Sequence, residues 1–276
     1  MFDVNDIQPV TRIETCSVSV VRRIAAMLDL SPDDFREGEA LPNGWHFSLL
    51  SAQTRRSELR ADGFPGLGIP MPDLGLSRVM LGGRTVEFRG TIPIGSEIRR
   101  SSAITSLTRK NTALGPMALI TLSHELLVEH EATPAVVETQ TYVLFDGQGR
   151  SGGSAITSPS ATALRTKTIV PDQTLLFQYS ALGFNSHKIH LDRRFAREVE
   201  GFADLVVNGG LTTLLLTEFA RLELGLTLAG LRMKNTAPLF CDRPMTLAAD
   251  REHDPWRLMA LNDAGIPAAQ MEVSVR

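Results

Sequence analysis

A chain of 276 residues has room for one large domain or two small ones, and for a sizeable buried core. With 43% hydrophobic and 21% charged residues it sits near the average of soluble globular proteins, which argues against disorder and fibrous architecture. The formal net charge of −3, with Lys and Arg scattered, leaves no electrostatic footprint for a nucleic acid, and the longest apolar runs fall far short of the roughly 18 residues of a membrane span. The acidic start does not resemble a cationic signal peptide, so a cytoplasmic protein without a nucleic-acid or membrane partner is expected. Cys16 and Cys241 are too few for a disulfide framework and lack the paired spacing that binds zinc.

In chain order, the first predicted element is a helix over 17–30, with Val20, Val21, Ile24 and Met27 or Leu28 on one face and Ser31-Pro-Asp-Asp as its stop. Residues 61–72 are dense in Gly and Pro and read as a long surface loop, either functional or merely connecting. Strands follow over 86–88, 97–107, 117–128 and 139–145, rich in β-branched and aromatic residues, with a turn at 111–116. The stretch 147–167, rich in Gly, Ser, Thr and Ala, reads as a linker, which divides the chain into halves at 1–150 and 168–276 with 151–167 between them. The second half begins with the segment Phe177-Gln-Tyr-Ser-Ala-Leu-Gly-Phe-Asn-Ser-His-Lys-Ile-His-Leu-Asp192. A helix over 209–224 places Leu211, Leu214, Leu215, Phe219 and Leu222 at helical spacing, and strands follow over 231–236, 245–250, 256–262 and 268–275.

An internal echo supports two related halves. Phe88-Arg-Gly-Thr-Ile-Pro93 and Met233-Lys-Asn-Thr-Ala-Pro238 share an apolar residue, a cation, Thr, an apolar residue and Pro, and their final prolines stand 145 residues apart. Each is preceded by a Leu-x-Gly element, Leu81-Gly-Gly and Leu228-Ala-Gly. A helix wrapped by an antiparallel sheet, built twice, is the α+β architecture this pattern describes.

The segment ending at Asp192 gathers Asn185, His187, His190 and Asp192 within eight residues, bracketed by aromatic and aliphatic side chains able to line a pocket. Histidine titrates near neutrality and suits proton transfer, and a carboxamide can orient a water beside it. A single histidine filling a core gap is the plainer alternative. Asp192 precedes Arg193-Arg-Phe-Ala-Arg-Glu-Val and is better explained as a cap on the next helical turn. The pair His187 and His190, with no Cys or carboxylate at ligand spacing, predicts no metal. Downstream, Val206-Val-Asn-Gly-Gly-Leu211 opens a helix, where unpaired amides at Gly209 and Gly210 can polarise a thioester carbonyl. The same glycines can also simply let the helix pack closely on the sheet.

These residues resemble the MaoC-like, hotdog-fold hydratases and dehydratases, in the branch of mesaconyl-CoA and itaconyl-CoA hydratases and 3-hydroxyacyl-thioester dehydratases. The likeness is carried by YSALGFNSHKIHLD and VVNGGL, and extends to Leu41-Pro-x-Gly-Trp-His46, Asp62-Gly-Phe-Pro65, Arg78 with Gly82-Gly83-Arg84, and Ala237-Pro-Leu-Phe. It implies a double hotdog whose N-terminal half is degenerate and whose C-terminal half carries one active site. It further implies that His190 serves as general base or acid, that Asn185 stands where the wider family has Asp, and that the Gly209 amide binds the thioester oxygen. Tyr179, His187, Gly210, Arg78 and Arg84 are expected to bind substrate, with either arginine available to a distal carboxylate or left as a surface charge. Asn208, Gly210 and Gly183 depart from the His, Pro and Thr of the branch pattern, and the loop 71–78 is altered. The implied activity is reversible hydration of an enoyl-CoA, such as a short dicarboxylic one, by a homo-oligomer that needs no cofactor beyond the CoA thioester substrate. A hotdog thioesterase or a non-catalytic acyl-thioester binder is the alternative.

Overall fold

Residues 7–71, 73–113, 115–146, 165–250 and 255–276 are described by a computed structural model. The alternating strands pair antiparallel into a 10-stranded sheet in the order β1-β3-β4-β5-β2-β7-β10-β9-β8-β6. The first half supplies β1 (Val10–Thr15), β2 (Arg78–Phe88), β3 (Glu97–Thr112), β4 (Gly115–Val128) and β5 (Val136–Phe145). The second supplies β6 (Arg165–Ile169), β7 (Leu228–Asn235), β8 (Met245–Asp250), β9 (Trp256–Leu261) and β10 (Pro267–Val275). On β4 the period-two pattern is plain, because Ala118, Ile120, Leu122, His124, Leu126 and Val128 face inward. The expected strand positions hold, and most strands run longer at one or both ends. Strand β2 starts eight residues before the expected position, because the weak strand formers Gly82 and Gly83 hide its first half.

Among the described residues the two half-sheets join through β2 and β7, in a register that sets Gly83 opposite Lys234 and Glu87 opposite Gly230. Backbone approaches so closely there that a Cβ on Gly83 would meet the Met233 carbonyl oxygen, and one on Gly230 the Val86 carbonyl oxygen. Both glycines belong to the two Leu-x-Gly elements, so that part of the echo marks the seam.

Among the described residues three α-helices accompany the sheet, α1 (Val18–Met27), α2 (Gln173–Leu182) and α3 (Gly209–Glu223), and α3 packs on β9 and β10. Helix α1 buries Val21, Ile24, Ala25 and Met27 and packs on α2, which the apolar spacing did not reveal. Helix α3 is buried almost all round, including Thr212, Thr213 and Thr217. Their hydroxyls donate to helix carbonyls of Asn208, Gly209 and Leu214, which removes the cost of burying them. Leu222, expected on the apolar face, is instead 48% exposed.

The halves repeat one backbone motif with different consequences. Leu41 N–H donates to Ile92 O and Ile94 N–H to Glu39 O, just as Val207 N–H donates to Leu239 O and Cys241 N–H to Leu205 O. After Val207 the chain enters the 15-residue α3, whereas after Leu41 it makes only a 3-10 run, Trp45–Leu50. The fully buried Trp45 donates its indole hydrogen to Glu218 of α3, 2.8 Å away. The 3-10 run contributes Phe47 and Leu50, and the start of α3 Gly209 and Gly210, to the lining of the cavity described below. Of the expected linker, residues 147–164 lie outside the described residues, while Arg165, Thr166 and Lys167 already belong to β6 and pair with β8.

Candidate active site

Helix α2 ends at Leu182, and the chain turns through Gly183 and Phe184, the latter at φ 49°, to present Asn185. The turn is fixed by Asn185 N–H donating to Ser180 O (2.8 Å), and the Asn185 Oδ1 accepts the His187 N–H (3.1 Å). That Asx turn engages one lone pair of the carboxamide and leaves its Nδ2 hydrogens for other partners. A 3-10 turn, Lys188–His190, with His187 as its N-cap, then buries both histidines, and their rings meet edge to face at 5.6 Å. Asp192 closes the segment as expected, accepting the Phe195 N–H (2.9 Å) at the start of a π-helical run, Phe195–Val199.

His190 Nδ1–H donates to the Val206 carbonyl at 2.7 Å, which fixes the tautomer and leaves Nε2 as the lone-pair nitrogen. Burial holds His190 down to about pKa 3, helped by His187 and opposed by the Val206 bond. His187 is likewise held down to about 4, by burial and then by Arg60. Both rings are therefore neutral at physiological pH.

The Gly- and Pro-rich loop of the first half grips this segment. Lys188 N–H donates to Asp62 O (2.8 Å), Lys188 Nζ to Ala61 O (2.7 Å), and Ser186 Oγ to Gly63 O (2.7 Å). Asp62 Oδ2 lies 3.7 Å from His187 Nε2, and the Phe64 ring packs on the His187 ring at 5.4 Å. Phe64, Leu67, Met71, Leu74 and Leu76 anchor the loop on a second small core around Ile120 and Leu122.

Across the cavity lies the amino end of α3. Its N-cap, Asn208, makes no capping bond with its side chain, whose Nδ2 instead donates to Ser180 Oγ (3.2 Å), so the first helix amides stay open. A Cβ on Gly210 would overlap the Tyr179 hydroxyl, so glycine is required there by close approach. The Tyr179 ring stacks on Phe47 at 4.6 Å, and its hydroxyl has no hydrogen-bond partner among the described residues.

Asn185, His187, His190, Gly209, Gly210, Tyr179 and Arg84 all line one cavity of about 210 Å³. The expected constellation is thus brought together, with one exception. Arg78 does not line the cavity: its Nε pairs with Glu200 Oε2 at 3.1 Å, and its Nη groups donate to the Glu200 and Val199 carbonyls, which commits the guanidinium to bracing the end of the π-helical run. The sequence reading missed Phe47, Gln140 and Tyr142, which the first half adds to the lining, and Glu138 behind them. The inward alternation of β5 was the available signal, since Glu138, Gln140 and Tyr142 occupy every second position. No Asp or Glu is among the lining residues, and among the described residues no cluster of three or more His, Cys, Asp or Glu is arranged to hold a metal ion. No helix among the described residues is long and apolar enough to cross a membrane.

The chain was compared with known proteins. Residues 44–241 match the family described as hydroxyacyl-thioester dehydratase type 2. Over 266 residues the chain is 31% identical to the mesaconyl-C(4)-CoA hydratase of Chloroflexus aurantiacus, covering 94% of this chain and 92% of the relative. Among solved structures, a MaoC-like dehydratase from Phytophthora capsici superposes with a TM-score of 0.70 at 13% identity, covering 99% of each chain. A Mycobacterium tuberculosis protein described as having a double hotdog fold superposes with a TM-score of 0.61 at 13% identity, covering 99% of this chain and 97% of its own. The matched span, the identity to the relative and the shared double-hotdog architecture together make this chain a member of the hydroxyacyl-thioester dehydratase type 2 family of MaoC-like hydro-lyases.

Proposed function

We propose that this protein reversibly adds water across the double bond of a short enoyl-CoA thioester. The observation that carries the reading is a neutral imidazole, tethered at Nδ1 and free at Nε2, sharing one small cavity with the open amides of α3. In the hydration direction His190 Nε2 takes a proton from a water molecule as the water oxygen bonds to the distal alkene carbon. The alkene electrons move onto the thioester oxygen, where the Gly209 and Gly210 amides and the helix dipole stabilise the enolate more than the ground-state carbonyl. His190 then returns the proton to the carbon beside the carbonyl, so that one water is consumed and no redox partner is needed. Asn185 cannot accept the proton, so its part is to orient the water by donating to the water oxygen.

A cavity of about 210 Å³ suits a small acyl group, and the name of the Chloroflexus relative favours a short dicarboxylic one such as mesaconyl. Hydrolysis of the thioester is the weaker reading, because the matched family and the Chloroflexus relative are named for dehydration and hydration.

The test is to incubate purified protein with crotonyl-CoA and mesaconyl-C(4)-CoA while following the enoyl-thioester absorbance and free thiol in parallel. Loss of absorbance without thiol release is expected. Thiol release, or neither change, sinks the hydratase reading. In the same assay His190→Ala should lower kcat by about a thousandfold.

A further inference from the structure

Helix α3 presents its positive end to the cavity, where Gly210 abuts the hydroxyl of Tyr179. The Arg84 guanidinium reaches the same point, since a Cβ on Gly210 would come within 3.4 Å of its Nη2. Its side chain is only 9% exposed. A buried cation at the positive end of a helix is repelled by the dipole it faces, so this convergence needs an explanation.

Part of the compensation lies behind Arg84. Nη1 pairs with Glu138 Oε1 at 3.2 Å, and Glu138 also accepts from His46 Nε2 (2.7 Å) and Gln140 Nε2 (2.6 Å). Tyr142 donates to Gln140 Oε1 at 2.8 Å and so holds the amide in that orientation. Burial would raise the Glu138 carboxyl, but Arg84 and the hydrogen bonds from His46 and Gln140 override it and keep the group ionised, near pKa 2. Glu138 is therefore fully committed on the side away from the cavity. What remains without a partner among the described residues is Arg84 Nε, which is itself buried, and, on residues that line the cavity, the Nη2 group beside Gly210 and the Tyr179 hydroxyl.

We infer that Arg84, Tyr179 and the amino end of α3 form an anion subsite that takes a carboxylate carried directly on the distal alkene carbon of the substrate. The inference rests on the hydration reading, because it places the thioester oxygen at the same helix end. A carboxylate on the distal alkene carbon is separated from the thioester carbonyl carbon by three carbon–carbon bonds, a span of about 4 Å. Gly209, Gly210 and Arg84 line the same cavity, and the Arg84 Nη2 group lies 3.4 Å from where a Cβ on Gly210 would stand, so one short, trans-butenedioyl-type monothioester could engage both sets of donors. A carboxylate further along the chain would overshoot the guanidinium, and a methyl group in its place would leave the donors unpaired.

Binding of unreactive saturated thioesters to the wild-type protein tests this without any risk to the fold. Calorimetry should show succinyl-CoA, whose carboxylate occupies the butenedioyl position, binding at least about tenfold tighter than butyryl-CoA, its neutral isostere. Glutaryl-CoA, one methylene longer, should lose most of that advantage. Equal binding of succinyl-CoA and butyryl-CoA by a protein that hydrates crotonyl-CoA would overturn the subsite and leave the hydration reading standing. Tight succinyl-CoA binding by a protein that hydrates no enoyl thioester would do the reverse. In a second arm, Tyr179→Phe and the charge-neutral pair Arg84→Met with Glu138→Gln should each compress the succinyl-to-butyryl ratio, the pair removing it. Retention of the full ratio in the folded double variant overturns the assignment.

Discussion

Gly210 concentrates the demands of the site on one atom. Its missing Cβ makes room for the Tyr179 hydroxyl, so Gly210→Ala must displace either the tyrosine or the start of α3. Displacements of about 1 Å at a reacting centre cost roughly a hundredfold in rate, and kcat should fall by that order with folding retained. Combining it with Tyr179→Phe should restore part of kcat, since the clash is with the oxygen. A double variant no faster than Gly210→Ala in steady-state kinetics would contradict this account. Asn185→Asp asks a different question. A carboxylate there keeps the acceptor for the His187 N–H but loses the Nδ2 donors, and its negative charge favours protonated imidazole. If His190 is the neutral base proposed above, its pKa of about 3 would rise and the acidic limb of the kcat/KM profile should move to higher pH. An unshifted limb in Asn185→Asp would show that residue 185 does not share a field with His190.

At the scale of elements, the loop at Asp62 and Gly63 helps to hold the 185–190 strip in place. Gly63 sits at φ 77°, and a Cβ would overlap the Ser186 carbonyl oxygen, so Gly63→Ala must push the 185–190 strip away from the loop. The expected result is a kcat reduced tenfold or more with KM little changed, together with faster amide exchange at Lys188, whose N–H bonds Asp62 O. This coupling shows what was legible in the sequence. Elements with strong periodicity, such as α3 and β8, were placed to within a residue, and the cluster Asn185, His187, His190, Gly209 and Gly210 was recognisable because its residue types are unusual in close succession. The grip of the loop could not be read, since it runs through backbone carbonyls of Ala61, Asp62 and Gly63, which carry no side-chain signature. Arg78 misled for a related reason. A guanidinium in a Gly-rich strand looks the same in sequence whether it faces a cavity or braces a neighbouring turn, and only the fold sends Arg84 inward and Arg78 to Glu200.

For the whole molecule, buried neutral histidines set a limit on acid tolerance. His124, His187 and His190 are held down to about 4, 4 and 3, chiefly by burial, against an ordinary value near 6.5. In the unfolded chain they take up protons as pH falls through 6.5, while the folded chain resists, so stability is lost from about pH 6.5 downward. At pH 5 each contributes roughly 2 kcal/mol to this loss, an effect a thermal melt between pH 8 and pH 5 would reveal as a large drop in Tm. His190→Gln should flatten that dependence, and an unchanged pH slope would rule out its share.

Strands β2 and β7 do more than hold two half-sheets together. The imidazole and the helix amides come from one side of that join, while Arg84, Glu138 and the Asp62 loop come from the other. Neither half can therefore supply the proposed site alone, and any strain that shears β2 against β7 would misalign the imidazole, the helix amides and the guanidinium together.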